Sequence, residues 1–97
     1  MPVFIILGQY THEGVTKIKD SPQRLEAARK VAETIGGEIK QFFYTMGQYD
    51  FVAVCEAPSA EAMMKALMII GSAGAIKTES LIAIPESDAV GFIRELP

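Results

Sequence analysis

Four residues of this 97-residue chain combine reactive side chains with positions that folding can bring together: Tyr10 and His12 near the start, Tyr49 and Asp50 in the middle. Asp50 supplies a carboxylate that, as a functional group, acts as a general base or orients Tyr10 or His12. Its plainer role is structural, since a carboxylate beside a tight turn accepts backbone N–H bonds or pairs across the hairpin with Thr45. Tyr49, like Tyr44, reads first as a sheet-packing aromatic with a wet hydroxyl. His12 is the single histidine and lies in a polar stretch, where an imidazole is ordinarily solvated. With Glu13 and Asp50 it makes at best a weak N/O site, and no motif spacing supports one, so neither a metal nor a cofactor is expected.

The remaining reactive types read as packing. One cysteine, Cys55, excludes an intrachain disulfide and a Cys-rich metal site, and its place between Val54 and Glu56 is that of a small buried hydrophobe. Met63, Met64 and Met68 fall at core or interface spacing on a helix. Gly71-Ser72-Ala73-Gly74 is too short for a phosphate loop and lacks its lysine. No Ser/His/Asp order or Cys/His pair is present.

The elements that must position Tyr10, His12, Tyr49 and Asp50 follow from periodicity. Val3 to Tyr10 is a nearly continuous apolar run, as in a central strand buried on both faces. Thr11 to Asp20 is a polar loop, and Ser21-Pro22 provides an N-cap and a favourable first helical residue. Leu25, Ala28, Val31, Ala32 and Ile35 recur at helical spacing, predicting an amphipathic helix over 22–35 that ends at Gly36-Gly37. Glu38 to Met46 and Asp50 to Glu56 are hairpin strands joined by a two-residue type II′ turn, in which Gly47 supplies the positive φ and Met46 faces Tyr49. Ser59 caps a second helix, Ala60 to about Ile70, with Glu61 and Lys65 on a narrow solvent stripe and nearly everything else buried. Ala75 to Ile84 is the last strand. An amphipathic tail over 86–96 packs across a sheet edge or onto a neighbouring subunit.

The run Gly47-Gln48-Tyr49-Asp50 resembles the Gly-x-Tyr-Asp centre of the GYD domain family. Asp20-Ser21-Pro22-Gln23-Arg24, Gly36-Gly37, Glu56-Ala57-Pro58 and Thr78-Glu79-Ser80-Leu81 extend the resemblance over nearly the whole chain. It implies the ferredoxin-like, dimeric α+β barrel class. The strand and helix order says the same: a split βαβ domain (βαββαβ), α+β in class, with a four-stranded antiparallel sheet and two helices on one face. One domain over 1–97 is expected. In that topology Gly8-Gln9-Tyr10 and Gly47-Gln48-Tyr49-Asp50 come to the same end, near the helix start at Ser21, so Tyr10, His12, Tyr49 and Asp50 form the candidate ligand-binding pocket. A helix start there favours a small polar or anionic ligand.

Composition bounds the partners. A hydrophobic content of 49% is high for so small a chain, and both hairpin strands carry apolar groups on both faces, which predicts a homodimer or higher oligomer through the open sheet face. A net charge of −3 with scattered Lys and Arg argues against nucleic acid. No apolar run approaches the ~20 residues of a membrane span and the start lacks a basic leader region, giving a cytoplasmic expectation. The expected function is a small oligomeric small-molecule-binding or regulatory module. The alternative is a small metal-independent enzyme, isomerase or monooxygenase-like, which is an analogy from relatives by fold.

Overall fold

Strand β1 (Val3–Tyr10) carries apolar side chains on both faces, and its burial alternates: Phe4 and Ile6 are buried, Ile5 and Leu7 half-covered. In the computed structural model, which describes residues 1–97, β1 lies between β3 (Phe51–Glu56) and β4 (Ile76–Ala83), with β2 (Glu38–Tyr44) on the far side of β3. Every pairing is antiparallel. Helices α2 (Ser21–Thr34) and α3 (Ala60–Gly71) connect β1 to β2 and β3 to β4. This is the ferredoxin-like split βαβ sheet that the element order predicts, and no helix in it is long and apolar enough to cross a membrane.

The core is the layer between helices and sheet. Phe4, Ile6, Ala53, Cys55, Ala57, Met63 and Ala66 are buried together there, with Val31, Ile35, Ile39, Phe42 and Leu67 packed against them. Gly8 makes one close approach possible: it pairs with Phe51, and a Cβ at Gly8 would fall inside the Phe51 ring. The opposite face has no helix on it. Registers Ile5–Val54, Leu7–Val52, Phe43–Val52 and Ile5–Leu81 place these apolar residues side by side, and Phe43 and Leu81 remain 51% and 47% exposed.

Four local expectations are corrected. The stretch 11–20 is not a loop: Thr11 accepts the Gly14 N–H on its hydroxyl at 3.2 Å and so starts α1 (His12–Thr16), and a 3-10 turn follows over Ile18–Asp20. Ser21 does not cap α2; Asp20 takes the cap position without a side-chain bond, and Ser21 is turned inward, 7% exposed. The two-residue turn does not close. The strands end at Tyr44 and resume at Phe51, because Asp50 donates its N–H to Gly8 O at 2.7 Å and is drawn towards β1. Gly47 nonetheless holds a positive φ of 107°. In α3, capped by Ser59 as expected, Met64, Met68 and Ile69 are exposed, since only the Met63 and Ala66 side of the helix meets the sheet.

The last helix, α4 (Glu86–Ile93), has no buried residue and draws the molecule out to 52 × 31 × 17 Å. The accessible surface is 6608 Å², against ~5,400 Å² for a compact monomer of this mass. The radius of gyration is 14.7 Å, against about 12.5 Å for a compact domain of this length.

Candidate functional site

The end of β1 and the loop over 45–50 are tied at three points. Tyr10 donates its N–H to Asp50 Oδ2 at 2.8 Å, Asp50 donates its N–H to Gly8 O at 2.7 Å, and Gln9 Nε2 donates to Gln48 O at 2.8 Å. Thr45 closes the loop from the other side, donating its N–H to Asp50 O at 2.9 Å and its hydroxyl to Tyr49 O at 2.7 Å. The Asp50 carboxylate thus braces a neighbouring strand, not Thr45 across its own hairpin.

With its main chain fixed this way, Tyr10 lays its ring near Phe51, centroids 5.9 Å apart. Phe51 stacks on Phe42 at 5.1 Å, and Phe42 meets the edge of Tyr44, also at 5.1 Å. The aromatic row brings three hydroxyls together: Tyr10 Oη lies 3.3 Å from Ser21 Oγ, which lies 2.9 Å from Tyr44 Oη. Beyond them a cavity of about 310 Å³ opens between α2, α3 and the sheet, and 21 of its 26 lining residues are hydrophobic. That volume lies at the small end of the range for small-molecule sites, ~300–1,000 Å³.

Few charged groups line the cavity. Arg24 turns its guanidinium to main-chain carbonyls, Nη1 to Lys17 O at 3.0 Å and Nη2 to Gly14 O at 3.3 Å. Glu38 and Glu56 stand at the other end with Lys40 at 3.5 and 4.0 Å. Burial pushes the Cys55 thiol up to about 11, only partly offset by Arg29, so it is a neutral wall group and not a nucleophile. No group of three or more His, Cys, Asp or Glu is placed to hold a metal ion.

Of the four residues singled out by sequence, the structure joins two directly, Tyr10 and Asp50. Tyr10 lines the cavity, whereas Asp50 stands behind it on the Tyr10 main chain. Tyr49 reaches elsewhere: its hydroxyl donates to Glu79 Oε2 at 2.7 Å, and that carboxylate raises the Tyr49 hydroxyl above its ordinary range. Glu79 pairs with Leu7, so the contact belongs to the sheet face without helices. His12 is exposed in the first turn of α1, outside the cavity wall. The anion-favouring corner expected from sequence is therefore not what the cavity presents; its wall is apolar with a hydroxyl corner. Ser21 and Arg24 were the residues not foreseen, because Ser21-Pro22 carries the signature of a helix cap and masks an inward hydroxyl.

A Thermus thermophilus protein named glutamine synthetase and cystathionine beta-lyase binding protein is 32% identical over 95 residues, spanning 97% of this chain and all of that protein. Among solved structures, the feast or famine regulatory protein of M. tuberculosis complexed with L-methionine superposes with a TM-score of 0.67 at 18% identity over 88% of this chain. The leucine response regulatory protein of Mycobacterium tuberculosis gives 0.65 at 18% over 87%. This chain spans 51% of the length of each of these two structures, and the likeness is one of fold. The model of the GYD domain matches residues 4–93, nearly the whole sequence, and the chain belongs to the GYD domain family.

Proposed function

We propose that this protein is a small oligomeric binding and regulatory module, which holds a small molecule between sheet and helices and pairs with a second copy through its uncovered sheet face. The observation that carries the reading is the cavity: about 310 Å³ of apolar space with one hydroxyl corner, in a domain with few buried residues to spare for an unfilled interior. The relative named for binding two enzymes, and the fold neighbour holding an amino acid, support a binding role over a catalytic one. The chemistry of the wall points the same way. Asp50 is engaged on the Tyr10 N–H, Cys55 is held neutral, His12 faces solvent, and the wall carboxylates Glu38 and Glu56 stand with Lys40 at the end of β2 away from the hydroxyls.

The exposed area supports pairing of sheet faces. The surface in excess of a compact monomer is about 1,200 Å², and part of it is the contiguous apolar patch around Ile5, Leu7, Val52, Val54, Phe43 and Leu81. A stable interface buries ~800 Å² on each partner. The test is native mass spectrometry with light scattering on the purified protein. A dimer or larger assembly that retains a small molecule is the expected result, and Leu81→Lys is expected to weaken the assembly while leaving the fold intact. A soluble, ligand-free monomer at micromolar concentration overturns the reading.

A further inference from the structure

The hydroxyl corner of the cavity can be counted. Tyr10, Ser21 and Tyr44 hold three hydroxyl protons between them, and the two contacts Tyr10–Ser21 and Ser21–Tyr44 consume two. Whichever way the chain is polarised, one O–H is left without an acceptor inside the cluster, while oxygen lone pairs remain free. Ser21, at the centre, is 7% exposed and Tyr10 is half-buried, while Tyr44 is 55% exposed and reaches solvent. Tyr10 and Ser21 both line the cavity, so when Tyr44 donates to Ser21 the spare O–H lies on Tyr10 or Ser21 and meets whatever lies inside.

Charge in the cavity has no comparable provision. Arg24, the cation in its wall, is turned to the carbonyls of Lys17 and Gly14, Arg29 near Cys55 is turned to Ile39 O at 3.2 Å, and the two carboxylates of the wall stand at the Lys40 end. An anion drawn into this space would lose its hydration and find no cation placed to replace it. The same holds for a zwitterion. A neutral molecule loses nothing of that kind, and its apolar body gains the contact of Phe42, Phe51, Ile6 and Leu67.

We infer that the cavity takes an uncharged amphipathic molecule, with an apolar body of one or two rings or the equivalent branched chain and a single hydroxyl or carbonyl head seated on the Tyr10 and Ser21 hydroxyls. The head accepts the spare O–H and, where it is itself a hydroxyl, donates to a free lone pair. The inference rests on the cavity reading proposed above and names its ligand class.

Three probes of one shape separate the elements of this reading: naphthalene, 1-naphthol and 1-naphthoate, titrated into the full chain and followed by ligand fluorescence or calorimetry, with L-methionine as a zwitterionic fourth. Wild-type protein is expected to bind 1-naphthol about fivefold more tightly than naphthalene, the worth of one added neutral hydrogen bond, and 1-naphthoate at least ~10-fold more weakly than 1-naphthol. The double variant Tyr10→Phe/Ser21→Ala is expected to bring the 1-naphthol to naphthalene ratio to about one while leaving naphthalene affinity within about twofold, because it removes both hydroxyls that line the cavity and no apolar wall. Should the double variant lose its circular dichroism spectrum, Tyr10→Phe and Ser21→Ala made singly are each expected to lower the ratio, since each removes one of the two hydroxyls that line the cavity.

Equal binding of naphthalene and 1-naphthol by the wild type, or an unchanged preference in the double variant or in both single variants, overturns the head-group assignment. Tighter binding of 1-naphthoate or L-methionine, lost in Arg24→Met, overturns the uncharged class and makes Arg24 the anchor. No binding of naphthalene itself at its solubility limit overturns the cavity reading and this inference with it.

Discussion

Asp50 and Cys55 show how differently a titratable group can be used within one stretch of chain. Asp50 accepts the Tyr10 N–H at 2.8 Å, a charge-assisted bond between the hairpin loop and the central strand. Asp50→Ala leaves that N–H without its acceptor and is expected to cost about 1–3 kcal/mol. Asp50→Asn keeps an acceptor oxygen and is expected to cost about 1 kcal/mol or less. Urea denaturation midpoints separate them, and an Asp50→Ala protein as stable as wild type would remove the bracing role. Cys55 is neutral because burial disfavours its thiolate, with a folded pKa of about 11 against an ordinary 9.0. The raised value means that the stabilising contribution is whole below pH 9 and is lost as pH climbs from 9 towards 11, since the unfolded thiol ionises first. The stability difference between wild type and Cys55→Ala should therefore be constant up to pH 9 and shift in the variant's favour above it. Parallel pH profiles would show that the thiol is better solvated than its position implies.

At the level of elements, periodicity located every strand and both long helices, and the failures were at their ends. The stretch 11–20 read as a loop because its polar residues show no stripe; what makes it helical is the Thr11 hydroxyl, which accepts from Gly14 and donates to Gly74 O at 2.6 Å, a partner 63 residues away. The tight turn failed for a similar reason, although β2 and β3 pair with Tyr44 opposite Phe51 as expected. Gly47 alone fits a tight turn, but the pull of Gly8 O on the Asp50 N–H comes from another strand and is invisible in local sequence. The hydroxyl corner was hidden in the same manner, since Ser21 and Tyr44 meet only when α2 lies across β2. The positive φ at Gly47 still gives a clean experiment. A Cβ there meets nothing within 4 Å, so any penalty in Gly47→Val is backbone strain and not collision. About 1–3 kcal/mol is expected. Gln48→Ala should be nearly silent, because its exposed side chain reaches only the Tyr49 hydroxyl at 3.5 Å. Equal denaturation midpoints for the two variants would show that the loop relaxes without cost.

For the molecule as a whole, apolar residues on both faces of the hairpin strands predicted an uncovered sheet face, and the registers place Phe43, Val52, Val54, Ile5, Leu7 and Leu81 on it. Only 13 of 97 residues are buried, and the surface exceeds that of a compact chain of this mass by about 1,200 Å². Under the proposed pairing of sheet faces such a chain draws part of its stability from association, and association obeys mass action. Its melting temperature then ceases to be a constant of the sequence. Each tenfold dilution of a folded dimer that dissociates as it unfolds removes about 1.4 kcal/mol of apparent stability. Thermal scans from high micromolar to nanomolar protein should descend steadily, in Leu81→Lys from a lower start. A melting temperature independent of concentration would mean that the wide sheet is stable when bare, and that dilution, in a cell or in a cuvette, exerts no control over how much of this protein is folded.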